Sequence, residues 1–331
     1  RLIGLGHTFN SHSDAETILH AYEQWKESCL DKLRGMFAFA LWNSKSRELF
    51  LARDRIGIKP LYYLLHKESL FFASELKAFT AISPEYWQTR LNKSVADIYF
   101  SFPYINDNVN TLLEGVKKLP PGHYAYFKKG ILDIRRYWSL EKKDSVPISY
   151  EEAVDRTEEM LKEAINSHLI GDVPIALMLT GGLDSSVIAA LALKCEKKIA
   201  CAITVGHEGF KFDERKYGKL VANHLGIKHI EMEIDPKQAA QDMEKFVWYF
   251  DDLSIIGFFY QIFISQQVQK LGFKSVLLGE GSDEIFGGYH IFKLSMLPFS
   301  LLPSRIWNML YYNMLTAKKF GLDYFKNTEL I

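Results

Sequence analysis

Apolar residues in the first 140 positions occur in short runs that come in pairs, with a polar turn inside each pair. Paired runs of this kind predict β-hairpins, here at 36–55, 61–75 and 123–138. Ahead of them, the opening stretch RLIGLGHTF predicts a strand. A capping-box pattern from Ser13 to Glu16 predicts the start of a helix. The first part of the chain is therefore expected to be antiparallel sheet with helices between the strands.

Beyond residue 150 the pattern alternates between helical periodicity and short, uninterrupted apolar runs. Helices are predicted at 151–169, 185–194, 214–225 and 260–271. The runs IALML, IACAITV, HIEMEI and SVLLG have the length of buried strands. Such alternation predicts a parallel, doubly wound sheet.

The tract EKKDSVPIS at 141–149 is charged, contains a proline and has no periodicity, which is typical of a linker. The chain is therefore predicted to be an α/β protein, with a first domain at residues 1–140 and a second at 150–331. Its 331 residues suffice for two domains with substantial cores.

The amino-acid composition indicates which binding partners and which cellular compartment are favoured. Lys+Arg and Asp+Glu balance at 40 each, so no bulk charge favours a nucleic acid or an anionic membrane as partner. The three cysteines form no CxxC pair, which favours a reducing compartment such as the cytoplasm. The apolar segment 294–315 is broken by prolines and an arginine, so a packed helical region is favoured over a membrane anchor. We expect small-molecule substrates and leave open whether the chain forms a homodimer.

The stretch LMLTGGLDSSV, at 177–187, runs from a predicted strand through two glycines into a predicted helix. A glycine turn at a helix start leaves backbone N–H groups unpaired, and with the helix dipole they can bind an anion such as phosphate. Because Gly181 and Gly182 have no Cβ, the backbone can approach a ligand closely. The alternative is a tight turn whose Asp184 and serines only cap the helix.

A second acidic, glycine-containing turn, GEGSDE at 279–284, follows the last predicted strand. In parallel sheets ligands bind beyond the carboxyl ends of strands, where both loops are expected. Carboxylates beside a phosphate loop repel an anion unless a divalent cation intervenes, and Mg²⁺ is commonly held by one or two carboxylates plus nucleotide phosphates. Asp184 and Asp283 are thus candidate magnesium ligands, although an acidic turn is also compatible with a solvated surface loop.

The first loop has neither the GxxxxGKS/T spacing of a P-loop nor the GxGxxG spacing of a dinucleotide site. It resembles the SGGxDS pyrophosphate loop of ATP pyrophosphatases, with Thr180 in place of the first serine. TGGLDSS together with GEGSDEIFGGY closely resembles the glutamine-dependent asparagine synthetase family, and so do SHSDAET, LRGMFAFALW, LFLARDRIGIKPLYY, FFASELKAF and LPPGHYAYFKKGILDIRRYW in the first half. The resemblance implies part of an Ntn-type αββα antiparallel sandwich, the glutaminase domain, followed by a Rossmann-like ATP-pyrophosphatase domain.

The resemblance also implies roles for individual residues. Asp14 matches the aspartate that holds the amino group of bound glutamine. Glu280 matches the glutamate considered important for forming an aspartyl-adenylate, and Asp184 and Asp283 match the magnesium site. The positions that match the ATP site are Met178, Thr180, Gly181, Gly182, Asp184, Ser185, Ser186, Val205, Leu278 and Gly279.

Three departures from the family pattern modify these expectations. Arg1 stands where the family has an amino-terminal cysteine nucleophile, so the chain as given is not expected to hydrolyse glutamine. A family lysine beyond the GGY motif would fall past Ile331, so we expect a piece of a longer protein rather than a degenerate one. The segment 251–263 differs from the usual acceptor-site pattern, which leaves the acceptor open.

The primary hypothesis is amidation of aspartate to asparagine, with ATP and Mg²⁺ as cofactors, ammonia derived from glutamine, and AMP and pyrophosphate as products. One alternative is the same chemistry on another carboxylate, such as a sugar acid or a secondary metabolite. Another is a non-catalytic, nucleotide-binding remnant. The basic stretch ARDRIGIKP at 52–60 is compatible with a phosphate-binding patch, but a scaffold role in the first domain is favoured.

Overall fold

The computed structural model describes residues 1–101, 108–140, 146–171, 173–195, 199–209, 213–251 and 259–289. The chain forms two compact units: the first comprises Arg1–Ser149 and Ile234–Gln267, and the second comprises Tyr150–Glu233 and Val268–Ile331. The boundary between Ser149 and Tyr150 coincides with the end of the predicted linker. The segment Ile234–Gln267, however, belongs to the first unit and not to the second. As functional domains, 1–140 and 150–331 with a linker at 141–149 stay a prediction.

The described helices and strands follow the predicted order. The helices are α1 (Asp14–Trp25), α2 (Lys93–Ser101), α3 (Tyr150–His168), α4 (Leu183–Ala192), α5 (Arg215–Leu225), α6 (Pro236–Gln241), α7 (Met243–Phe250), α8 (Phe259–Lys270) and α9 (Ser282–Phe286). The strands are β1 (Ala38–Asn43), β2 (Glu48–Arg53), β3 (Tyr62–His66), β4 (Ser69–Ala73), β5 (Lys117–Lys118), β6 (His123–Lys128), β7 (Ile131–Arg136), β8 (Ile175–Met178), β9 (Cys201–Gly206), β10 (His229–Glu233) and β11 (Ser275–Leu277). Among the helices described, none is both long and apolar enough to cross a bilayer.

The first unit contains two antiparallel sheets. The strand orders are β1-β2-β6-β7 and β4-β3-β5. The pairs β1/β2, β3/β4 and β6/β7 are the three predicted hairpins, each antiparallel and in register across its turn. The core beneath the larger sheet includes the fully buried side chains of Cys29, Leu30 and Phe50. The predicted antiparallel character of this part of the chain is therefore confirmed.

The prediction of a strand at the amino terminus is wrong. Ile3–Leu5 is a short 3₁₀ helix, closed by hydrogen bonds from Leu5 N to Leu2 O and from Gly6 N to Ile3 O. Gly6 follows in the left-handed region at φ 92°. A residue without a Cβ adopts that conformation readily, so the glycine ends the turn where a strand would have continued.

Helix α1 starts at the predicted capping pattern, with a different partner for the glutamate. The Ser13 hydroxyl caps the helix by accepting from Ala15 N at 3.2 Å. The Glu16 carboxylate reaches past the cap and accepts from Asn10 N at 2.8 Å and from Ser11 N at 2.7 Å. The helix start is thus fixed together with the loop before it.

Asp54 is a buried carboxylate, only 2% exposed, that organises the loop after β2. It accepts five backbone N–H groups at 2.7–3.3 Å, namely those of Phe37, Ile56, Gly57, Ile58 and Lys59. Backbone donors of this kind satisfy both oxygens of a buried charge, which would otherwise be costly to desolvate.

Arg53, the residue before Asp54, also makes hydrogen bonds to the backbone of the first unit. Its guanidinium donates to the carbonyl oxygens of Gly57, Lys59 and Leu119 at 2.7–2.8 Å. These contacts support the scaffold interpretation of the stretch 52–60, because the arginine that would bind a phosphate is already committed to backbone.

Asp251, directly after the segment Ile234–Phe250, holds the end of this segment to another part of the first unit. Asp251 follows α7 in the left-handed region at φ 62°. Its carboxylate accepts the N–H of Leu76, and that of Lys77 at 2.8 Å. The Lys77 ammonium lies 3.6 Å from Asp251 Oδ1 and donates to Trp248 O at 3.0 Å. These contacts tie α7 to the 3₁₀ helix Leu76–Ala81.

The second unit contains a four-stranded parallel sheet in the order β10-β9-β8-β11. Helices α3, α4 and α5 lie close to their predicted bounds. The sheet and helices bury a shared apolar core that includes Leu177, Leu179, Ala189, Ala202 and Ala222. The predicted parallel, Rossmann-like architecture is confirmed for the described residues.

Replacing Asp54 by asparagine is expected to lower the free energy of unfolding by about 2–4 kcal/mol, because the amide NH₂ would face backbone donors and the charge-assisted bonds would be lost. Urea denaturation followed by tryptophan fluorescence measures this change. The control is Asp133→Asn, whose side chain is 45% exposed and pairs with Arg135. That variant is expected to lose less than about 1 kcal/mol. Equal losses in the two variants would contradict the organising role of Asp54.

Candidate functional site

The candidate site lies where the connections of the parallel sheet change direction. From β8 the chain goes to β9 on one side, whereas β11 pairs with β8 on the other side. Strands β8 and β11 are parallel neighbours, with Leu177 opposite Leu277. The two loops singled out in the sequence therefore leave the same edge of the sheet side by side, at the switch point where doubly wound sheets bind ligands.

The glycines of the first loop have different structural roles. Gly181 has φ 81°, and a Cβ placed there would lie 2.5 Å from the backbone carbonyl carbon of Tyr217. Gly182 has φ −69° and is the N-cap residue of α4. Gly181 is therefore required by the packing of α5 against the loop, while Gly182 places the first N–H groups of α4 at the sheet edge. Those first N–H groups have no acceptor inside the helix.

The hydroxyl groups of the loop hold the loop itself together. The hydroxyls of Thr180 and Ser185 lie 3.0 Å apart, and Ser185 Oγ accepts from Thr180 N at 3.2 Å. Thr180 Oγ1 accepts from Gly182 N at 3.2 Å, and Ser186 Oγ donates to Gly182 O at 2.7 Å. In this structure these hydroxyls shape the turn, and the predicted roles of Thr180, Ser185 and Ser186 in binding ATP stay predictions.

A buried threonine supports the loop from below. Thr204 in β9 is 1% exposed, and its hydroxyl donates to Leu179 O, the residue before the loop. His229 Nε2 lies 2.7 Å from the same hydroxyl. Since the hydroxyl proton is used on Leu179 O, the imidazole donates from Nε2 and the histidine is the Nε2–H tautomer. Gly218 of α5 packs here, because a Cβ at that position would collide with Thr204 Oγ1.

Thr204, Gly218 and His229 were not predicted from the sequence as parts of the site. A signal was present in one case, because Thr204 is a polar residue inside the apolar strand IACAITV. Burial lowers the pKa of His229, with smaller opposing and reinforcing effects from Glu231 and Lys219. Burial therefore favours the neutral form of this imidazole in the folded second unit.

The second loop approaches the first at Gly279. A Cβ placed on Gly279 would lie 3.6 Å from the Cβ of Asp184 and 3.8 Å from Ser185 N. Glu280, the next residue, is exposed, and Asp283 is half-buried in the short helix α9. The structure thus brings Gly279 against Asp184 and leaves Glu280 at the same edge.

The other predicted ATP-site residues surround this edge. Met178 ends β8 and is buried, Val205 lies in β9 and is half-buried, and Leu278 follows β11 with 46% exposure. Near the end of the second loop, the Tyr289 hydroxyl donates to Glu284 Oε1 at 2.7 Å, which raises the pKa of Tyr289 to about 12. The roles of all these residues in binding ATP or magnesium stay predictions.

Asp14, the predicted glutamine-binding residue, lies in the first unit at the rim of a cavity of about 560 Å³. The loop before α1 forms much of its wall, and the lining residues are Ile3, Phe9, Asn10, Ser11, His12, Ser13, Asp14 and Thr17. Hydrogen bonds from the Ser11 hydroxyl and the Asn10 N–H lower the pKa of Glu16 to about 2. The cavity wall is therefore held by an ionised carboxylate.

Two expectations from the sequence fall on residues outside the described ranges. Most of the segment 251–263, which departs from the family acceptor pattern, lies there, because 252–258 are not described. The apolar segment 294–315 lies there in full.

Replacing Gly181 by alanine is expected to cost about 2 kcal/mol or more of unfolding free energy, because φ is positive and the Cβ meets the backbone of α5. Gly182→Ala is the matched control, since its φ is ordinary and its Cβ would lie 3.3 Å from Thr180 Oγ1. Urea denaturation of both variants measures the difference. A control that loses as much stability as Gly181→Ala would show that the α5 contact is not the cause.

The stability of the second unit is expected to fall as the pH drops below about 6.5, because the unfolded chain protonates His229 more readily than the folded one. The contribution is present in full above the unfolded pKa and decreases below it. Urea midpoints between about pH 7.5 and 5.5 measure this slope, which should be shallower in His229→Gln. Identical slopes in the two proteins would exclude His229 as the source.

Comparison with known proteins agrees with this geometry. The family profile of the glutamine amidotransferase domain matches residues 1–138, and that of asparagine synthase matches residues 156–324. The chain is 35% identical over 313 residues to glutamine-hydrolyzing asparagine synthetase 1 of Bacillus subtilis (strain 168), covering 93% of this chain and 48% of the relative. It is 33% identical over 313 residues to amidase chry2 of Gibberella zeae, covering 87% of this chain and 45% of the relative.

The chain thus spans about half the length of the curated relatives it matches. The asparagine synthase profile alone nevertheless covers more than half of the chain, and the amidotransferase profile covers most of the rest. The two loops at the switch point and the cavity beside Asp14 fall inside these matches. The chain belongs to the glutamine-hydrolysing asparagine synthetase family.

Proposed function

We propose that the protein to which this chain belongs converts a carboxylate to an amide at the expense of ATP, with glutamine as the source of nitrogen. The acceptor that the family favours is aspartate. Its side-chain carboxylate would attack the α-phosphorus of ATP, giving a β-aspartyl-adenylate and pyrophosphate. Ammonia would then displace AMP and form asparagine.

The observation that carries this proposal is the approach of Gly279 to the first loop, where a Cβ placed on Gly279 would lie 3.6 Å from Asp184 Cβ and 3.8 Å from Ser185 N. It joins the loop at a helix start, suited to an anion, with the loop that carries Glu280. Adenylate formation needs both, because pyrophosphate leaves from one side of the α-phosphorus while the carboxylate approaches from the other. Amides pointed at the leaving group stabilise the charge that develops on it.

The residue roles in the proposal follow from position. The amides at the start of α4, set by Gly181 and Gly182, would bind the pyrophosphate portion of ATP. The groups that would surround the nucleotide are Met178, Thr180, Ser185, Ser186, Val205, Leu278 and Gly279. Glu280 would orient the acceptor carboxylate at the reacting phosphorus.

Magnesium fits the donor set at this edge. Asp184 lies in the first turn of α4, and Asp283 lies in the first turn of α9. Carboxylates next to a phosphate-binding helix start are hard oxygen donors of the kind Mg²⁺ prefers, and bound Mg²⁺ would offset the charge of the phosphates. Asp184 and Asp283 would hold it there.

The nitrogen donor would bind in the first unit. The carboxylate of Asp14 at the rim of the 560 Å³ cavity is suited to the ammonium group of free glutamine. Glu16 would contribute indirectly, by holding the Asn10–Ser11 wall of that cavity.

Ammonia-supported synthesis by the full-length gene product tests the second unit without the glutaminase. Pyrophosphate release from Mg-ATP is expected to require aspartate and to yield asparagine. Asp184→Asn and Glu280→Gln are each expected to lose about 100-fold or more in rate, the scale at which one transition-state contact is worth several kcal/mol. Asp155→Asn, an exposed carboxylate on α3, is the control and should retain full activity. Wild-type rates in either site variant would contradict the assignment.

A different acceptor is the second candidate, because amidase chry2 of Gibberella zeae is 33% identical to the chain, close to the 35% of the Bacillus subtilis synthetase. In that case pyrophosphate release would respond to another carboxylate and ignore aspartate. A panel of sugar acids and other carboxylates, each assayed with ammonia and Mg-ATP, separates the two candidates. The loss of release in Asp184→Asn is expected with either acceptor.

A further inference from the structure

Three side chains meet on one face of α1, in a position that the proposed reaction does not use. His20 and Glu23 lie one helical turn apart on α1, and His7 reaches them from the segment that precedes the cavity wall. His7 Nδ1 lies 3.2 Å from His20 Nδ1, and His20 Nδ1 lies 3.1 Å from Glu23 Oε2. The third distance, from His7 Nδ1 to Glu23 Oε2, is 3.9 Å.

The three distances are similar to those between donor atoms that bind one metal ion. The point equidistant from the three atoms lies about 2 Å from each of them, the usual length of a bond from zinc to a histidine nitrogen or a carboxylate oxygen. Three ligand atoms spaced in this way leave further coordination positions on the outer side, where Glu23 is 66% exposed. The arrangement is therefore compatible with three protein ligands plus water.

The hydrogen bonds of His7 direct its lone pair inward. His7 Nε2 lies 3.0 Å from Gln24 Oε1, which can only accept, so the imidazole carries its proton on Nε2. Nδ1 is then an unprotonated nitrogen facing His20. Histidines that bind metals commonly donate their other N–H to an oxygen in this way, which fixes the tautomer and the ring orientation.

His20 has the same orientation. Its Nε2 is buried without a hydrogen-bond partner, and the nearest carboxylate oxygen, Glu16 Oε1, lies 3.7 Å away. A proton on Nε2 faces that negative charge, whereas a lone pair there would be repelled by it. With both protons on Nε2, two bare Nδ1 atoms and a carboxylate oxygen converge and repel one another. A cation between them removes the repulsion.

We propose that His7, His20 and Glu23 bind one divalent transition-metal ion of the zinc class. Two imidazoles and one carboxylate are a donor set that suits zinc and disfavours Mg²⁺ or Ca²⁺, which prefer oxygen ligands. The charge of the ion would be offset by Glu23 as a ligand and by Glu16 behind His20.

The site would be structural in its effect. It links His7 to α1 across the loop that contains Asn10 and Ser11, two of the residues lining the cavity. Phe9, another lining residue, packs edge-on against the His20 ring with centroids 4.8 Å apart. Metal binding would therefore fix the wall of the cavity. This holds whether or not that cavity binds glutamine.

The competing arrangement needs no metal. With its proton on Nδ1, the His20 ring would donate to Glu23 Oε2 and no ion would lie between them. The experiment therefore has to distinguish a bound metal ion from a bound proton.

The test uses the untagged chain, stripped of metal with a chelator and kept at about pH 7.5, where imidazoles with ordinary pKa values are mostly neutral. Titration with Co²⁺ is expected to give one equivalent bound, followed by the visible absorption of the bound ion. Zn²⁺ is expected to displace the cobalt and to raise the melting temperature of the chain. Mg²⁺ should do neither.

Variants assign the site to these residues. Glu23→Gln and His7→Phe are each expected to weaken Co²⁺ binding by at least tenfold, and Gln24→Ala by about tenfold through loss of its hold on His7. His224→Gln, an exposed histidine on α5, should bind like the wild type. Glu23→Gln alters an exposed side chain, so its result stands even if His7→Phe fails to fold.

Two results would overturn the proposal. One is the absence of a stoichiometric Co²⁺ or Zn²⁺ complex under these conditions. The other is binding that Glu23→Gln and His7→Phe leave unchanged, which would place the metal elsewhere. Because no nucleotide, glutamine or turnover enters the measurement, failure here leaves the proposed function unaffected.

Discussion

The parallel pairing of β8 with β11 is the constraint on which the candidate ATP site depends. Each strand delivers one loop to the sheet edge: β8 leads to the start of α4 with Asp184, and β11 leads to Glu280 and the start of α9. Leu177 and Leu277, one hundred positions apart in the chain, become neighbours through this one ladder. The buried contact of Thr204 with Leu179 then keeps the end of β8 from moving relative to β9.

The glycines of the site are best understood through this packing. At Gly181 and Gly218 the missing side chain makes room for another part of the protein, α5 in one case and β9 in the other. At Gly279 a Cβ would fit, in ordinary van der Waals contact with Ile188 and Asp184. Packing against α5 therefore helps to hold the first loop in its conformation.

Local pattern predicted the hairpins, the parallel sheet and the two functional loops, because each is specified by periodicity or turn chemistry within a few residues. It was wrong at the amino terminus, where Gly6 ends a turn and the apolar run Leu2–Leu5 gives no sign of this. It could not place Ile234–Gln267, since the contact of Asp251 with Leu76 joins positions far apart in sequence. The local pattern also could not predict the contact of His7 with His20 or that of His229 with Thr204, because these residues too are distant in sequence.

The anchor at Asp251 also bears on how the protein can be divided. The chain passes from the first unit to the second after Ser149, returns after Glu233 and crosses again after Gln267. A fragment that stops at the linker would retain both antiparallel sheets but lose the carboxylate that accepts the Leu76 and Lys77 amides. A fragment that begins at Tyr150 would carry α7 without the 3₁₀ helix Leu76–Ala81 to which Asp251 ties it. Neither unit corresponds to one continuous gene segment, so the two are inseparable by a single cut in the chain.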